Sequence, residues 1–95
     1  MIIYVKVRAN GEYHSQNISH AAAGFREMGA EIKKYHVLDE IYEKVTADDI
    51  VVDYIDQVRT ILRKFGVTCD CPDYPEQLHP FMGRSIWRDH INSIN

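Results

Sequence analysis

Apolar and β-branched residues fill positions 2–7 almost without interruption (Ile2, Ile3, Tyr4, Val5, Val7), the mark of a buried or half-buried strand. Ala9-Asn10-Gly11-Glu12 breaks it with turn chemistry. From Ser15 or Asn17 onward, Ile18, Ala21, Ala22, Phe25 and Met28 recur at helical spacing, and Gly29 supplies a C-terminal stop. Residues 31–38 then predict a second strand, completing a βαβ unit.

The unit repeats. Asp49-Ile50-Val51-Val52 is a short apolar strand, and Asp53 stands where it could cap the next helix. In that helix Ile55, Val58, Ile61, Leu62 and Phe65 form one apolar stripe. Gly66 ends it, and Val67-Thr68-Cys69 restarts an extended segment. Between the units, residues 39–45 read as a short helical turn or a loop. Beyond Cys71, Pro72, Pro75 and Pro80 forbid a long helix. The pattern predicts an α/β fold: a small, three-layer, mostly parallel open sheet built from tandem βαβ units, Rossmann-like or flavodoxin-like in topology, with right-handed crossovers. Residues 1–71 form that domain; 72–95 are a Pro-rich loop and C-terminal segment that packs on it or leads to a further domain.

Length and charge narrow the possibilities. Ninety-five residues, 45% of them hydrophobic, suffice for one domain and exclude large enzyme architectures. Fourteen acidic against eleven basic residues, a net charge of −3, give no drive toward nucleic acid. No apolar run approaches the ~18 residues of a membrane span, and the start lacks a signal-peptide pattern, so the reading is cytoplasmic, with no membrane partner. Asn17-Ile18-Ser19 is then a helix start rather than a glycosylation site. A reducing cytosol argues against a disulfide between Cys69 and Cys71. They lack the second ligand pair of a zinc site, which leaves ordinary thiols at a strand end or, less simply, a reactive thiol paired in space with a histidine.

Motifs exclude more than they assign. There is no G-x-G-x-x-G turn, no G-x-x-x-x-G-K-[ST] phosphate loop and no G-x-S-x-G elbow. Asp48, Asp49, Asp53 and Asp56 span a strand end and a helix start, where they could bind magnesium or simply complement the helix dipole. Arg8, Asn10 and Asp53 lie at strand ends, where open parallel sheets collect ligands. The six tyrosines and Trp87 divide between core and a potential interface.

Two stretches carry a resemblance: Asp48 to Arg59 (DDIVVDYIDQVR), followed by Asp73 to Trp87 (DYPEQLHPFMGRSIW). Together they resemble the N-terminal, pre-ATP-grasp region of a clade of bacterial and phage ATP-grasp proteins, with residues 74–87 the most specific part. The resemblance implies a non-catalytic domain that packs on the ATP-binding lobes of a carboxylate–amine ligase. In such ligases ATP activates a carboxylate as an acyl phosphate and an amine attacks it. ATP and magnesium belong to those later lobes, so this chain is expected to hold no cofactor, and its expected boundary at Asn95 falls where the lobes would begin. Arg8, by position, and Arg84, by motif, are candidates for the substrate side, although Arg84 could equally anchor a loop. Phe81, Met82, Ile86 and Trp87 would form the surface that meets the lobes, and if uncovered would favour a homo-oligomer. Two other readings stay open: a stand-alone protein-interaction module, and a small enzyme using Cys69 or Cys71.

Overall fold

A parallel sheet forms around the first apolar run, in a computed structural model that describes residues 1–66 and 78–81. The order along the chain is β1 (Ile2–Lys6), α1 (Gln16–Glu27), β2 (Glu31–Tyr35), a 3₁₀ turn (Leu38–Glu40), β3 (Ile50–Tyr54), α2 (Ile55–Lys64) and β4 (Leu78–Phe81). Across the sheet the order is β2-β1-β3-β4. β1 pairs in parallel with both β2 and β3, in a register that sets Ile3 opposite Ile32 and Ile50; β4 runs antiparallel to β3. The small, mostly parallel α/β open sheet expected from the pattern is therefore the fold, with an antiparallel edge added.

Central placement explains the composition of β1. Ile3, Tyr4 and Val5 are all buried, because helices cover both faces of a middle strand. Ile3 and Val5 face α1 with Ala30 and Ile50, while Ile18 and Phe25 of α1 pack against them. Tyr4 and Val51 face the other way, into a cluster with Tyr35, Ile41, Val45 and the α2 stripe Val58, Ile61 and Leu62. The edge strands look different. β2 exposes Glu31, Lys33 and Lys34, charges that discourage edge pairing. β4 carries Pro80 opposite Val52, tolerable because an edge strand can forgo one ladder donor.

Caps set the helix limits. Ser15 accepts a hydrogen bond from the Ile18 N–H at 3.2 Å and starts α1. Ser15→Ala is expected to lower stability by about 1 kcal/mol, with faster amide exchange confined to the first turn of α1; an unchanged melting curve would refute this. At the other end Gly29 takes φ 92°, the left-handed conformation that ends the helix.

Five local expectations shift or sharpen. β1 ends at Lys6, and Val7 instead bridges Tyr13, closing the loop that Arg8 and Glu12 tighten with a 2.9 Å backbone bond. β2 stops at Tyr35 rather than at residue 38, since the His36 N–H turns to the Glu40 carboxylate at 3.1 Å and begins the 3₁₀ turn. That turn, continued by bonds from Lys44 and Val45 to the Ile41 carbonyl, resolves the segment left between helical turn and loop. Finally, Asp53 does not cap α2. β3 extends through Tyr54, which occupies the cap position without a side-chain bond, so Asp53 is a buried strand residue. The stretch expected to be a Pro-rich loop contributes β4, while the extended segment predicted at 67–69 lies outside the described residues.

Candidate functional site

β1 sends its chain toward α1 on one face of the sheet, whereas β3 continues into α2 on the other. Connections that diverge in this way leave a crevice at the carboxyl ends of the two strands, the usual ligand position in an open parallel sheet. A recess of about 280 Å³ lies there. β1 contributes Lys6 to its wall, the turn after β2 contributes Val37 and Leu38, β3 contributes Asp53 and Tyr54, and the first turn of α2 contributes Asp56 and Gln57.

Asp53 is the unusual member. It is 1% exposed. Its Oδ2 accepts the Tyr35 hydroxyl at 2.6 Å and its Oδ1 accepts the Tyr54 N–H at 2.6 Å. Among the described residues it has no ion-pair partner. Burial pushes its pKa above the ordinary aspartate value; the Tyr35 hydroxyl, the Tyr54 N–H and the Lys6 charge oppose that shift, and Asp56 adds to it. Tyr35 is itself pushed up by burial and by the neighbouring carboxylate, so it stays a hydrogen-bond donor at any ordinary pH. Lys6 directs its ammonium to the His36 carbonyl oxygen, across the end of β2.

A second layer flanks Tyr54. The His14 ring meets the Tyr54 ring edge-on, with centroids 5.6 Å apart, and its Nδ1 lies 3.4 Å from the Tyr54 hydroxyl. Nε2 of His14 is buried with no hydrogen-bond partner among the described residues. Burial, with Arg8 and Lys6 nearby, lowers the His14 pKa, so the neutral ring is favoured.

The candidate residues from the sequence separate into three groups. Asp53 is in the crevice; Arg8 does not line it and is exposed, with its guanidinium donating to the His14 carbonyl at 3.1 Å. Asn10 serves its own turn, accepting the Glu12 N–H at 3.0 Å. The acidic cluster is split: Asp48 and Asp49 precede β3, whereas Asp53 and Asp56 lie about 13 Å further along at its far end. Asp49 is structural, accepting Ile2 N–H, Thr46 N–H and the Thr46 hydroxyl. No group of three metal-ligating side chains occurs among the described residues. Phe81 ends β4, with its backbone opposite Val51. Arg84, Met82, Ile86, Trp87, Cys69 and Cys71 lie outside the described residues.

Sequence reasoning missed Lys6, Tyr35, Leu38, Gln57 and His14 as site residues. One signal was available for Asp53: a lone carboxylate inside the apolar run Ile50-Val51-Val52-Asp53-Tyr54 is out of place in a buried strand unless something holds it. Among the described residues no helix is long and apolar enough to cross a membrane. The chain matches no family model, no curated protein and no solved structure.

Proposed function

We propose that this chain is the non-catalytic N-terminal domain of an ATP-grasp carboxylate–amine ligase, working in the cytoplasm, with its crevice on the substrate side. The crevice carries the reading. It offers two carboxylates, an ammonium and an apolar wall at the end of the sheet where small molecules collect. The sequence provides no phosphate loop to grip a nucleotide. Such a recess orients a substrate and leaves its activation to other lobes. The likeness of residues 48–59 and 73–87 to the pre-ATP-grasp region supplies the ligase assignment. ATP and magnesium then belong to the partner lobes, and Arg8, exposed and bonded to the His14 carbonyl, is the candidate to meet an approaching carboxylate.

The test is an ADP-release assay on the product of the whole reading frame that includes this chain. Release that requires both a carboxylate and an amine supports the proposal, as does its loss when residues 1–95 are deleted and its return when they are added back. A frame that encodes no ATP-grasp lobes, together with capture of a stable protein partner by this chain alone, would favour a stand-alone interaction module instead.

A further inference from the structure

The crevice has a definite electrostatic preference. Two carboxylates, Asp53 and Asp56, face one ammonium, Lys6, and that ammonium is already engaged by the His36 carbonyl. The first turn of a helix ordinarily favours an anion. Here the chain's own carboxylates occupy that place: Asp53 accepts the Tyr54 N–H, and Asp56 accepts the Gln57 N–H at 3.0 Å. An incoming anion would meet two negative charges and, at Gln57, a donor already taken.

A cation meets the opposite situation. Each Asp53 oxygen accepts a single close bond, at 2.6 Å, and a carboxylate has about four acceptor positions in all. Asp53 therefore keeps acceptor capacity beyond Tyr35 and Tyr54 and, at 1% exposure, reaches a guest only where it lines the recess. The nearby cation, Lys6, bonds the His36 carbonyl rather than Asp53, so the buried carboxylate lacks a direct ion pair, an arrangement relieved when a ligand supplies one. Opposite the carboxylates, Val37 and Leu38 give an apolar wall, and Val37 is 56% exposed although it is a large hydrophobe. Size limits the guest. At about 280 Å³ the recess lies just below the ~300–1,000 Å³ of pockets that hold drug-sized ligands.

We infer that the crevice binds a small primary amine as its cation, the ammonium on Asp53 and Asp56 and a short apolar stem against Val37 and Leu38. Within the ligase reading this ligand is the amine that attacks the activated carboxylate. The naming of the ligand as a substrate rests on that reading; the binding itself does not.

Amide NMR shifts of this chain, titrated separately with n-butylammonium and with butyrate at neutral pH and low salt, test the inference. Butylammonium is expected to shift Val37, Leu38, Tyr54, Asp56 and Gln57 saturably in the millimolar range, and butyrate to leave them unmoved. Asp53→Asn should weaken the amine at least tenfold. Asp56→Lys, on an exposed position that leaves the core intact, should do likewise, which keeps the test open even if the first variant folds poorly. Butyrate binding as well as the amine, or both variants binding the amine like the parent, would overturn the inference, as would the absence of any saturable shift. Amine binding by a chain whose reading frame lacks ligase lobes would sink the ligase reading and leave this site standing.

Discussion

Asp49→Ala should destabilise the fold by about 2–4 kcal/mol and lower the melting temperature by more than about 10 °C. Asp49 is 4% exposed and ties the start of β1 to the turn that precedes β3. Its Oδ1 accepts the Ile2 N–H at 3.0 Å, fixing the entry of the central strand. Its Oδ2 accepts the Thr46 N–H at 2.9 Å and the Thr46 hydroxyl at 3.0 Å, fixing the turn that feeds β3. Alanine strips the acceptor from two part-buried backbone donors, and a donor orphaned away from water costs about 1–3 kcal/mol. Asn at this position retains one acceptor oxygen, so Asp49→Asn should lose roughly half as much by the same reasoning. Urea denaturation of both variants checks the ranking. An alanine variant as stable as the parent would mean that water replaces the carboxylate and that the strand entry is not sealed.

How far the sequence could be read follows from which forces are local. Among the described residues, the period-2 and period-3.6 patterns located both α-helices and the three parallel strands, because burial against two helical layers dictates those patterns directly. Ser15, Gly29 and Gly66 punctuate them by purely local rules. Asp53 was misread because the same residue type serves as a helix cap and as a buried carboxylate. Only the Tyr35 hydroxyl, 18 residues away in sequence, distinguishes the two roles. The acidic run misled for a similar reason. Asp49 and Asp53 are close in sequence but stand at opposite ends of a strand, so their proximity says nothing about a shared site. Lys6, Leu38 and Gln57 meet only once the order β2-β1-β3 brings three strand ends together. Strand order is a property of the whole chain, and no short window contains it.

Asp53→Asn should leave the protein more stable than the parent at neutral pH, by about 0.5–2 kcal/mol. The sign follows from the direction of the shift. Burial raises the folded pKa of Asp53 above its unfolded value, which is about 3.9 for an ordinary aspartate. Its contribution is therefore fully present below the unfolded pKa, and it is lost as pH rises through the raised folded pKa. Asparagine has no charge to desolvate, so the variant escapes that loss. The difference in unfolding free energy between variant and parent should grow from its acid-side value as pH climbs past about 4, then level off above the folded pKa. The hydrogen bonds survive the exchange: the amide oxygen can accept the Tyr54 N–H, while Tyr35 can accept from the amide and turn its own proton to the Val52 carbonyl, 3.4 Å away. Tyr35→Phe acts in the opposite direction. It removes the donor from a buried carboxylate and should cost about 1–3 kcal/mol in the parent, and less in the Asp53→Asn background. If the parent proves the more stable at neutral pH, its two hydrogen bonds and the Lys6 charge outweigh desolvation, and Asp53 is a structural anchor rather than a charge held against stability. If the variant is the more stable, the chain retains a destabilising carboxylate in its crevice, as binding sites do when the charge is needed for a ligand. Added butylammonium should then raise the melting temperature of the parent and leave that of Asp53→Asn unchanged.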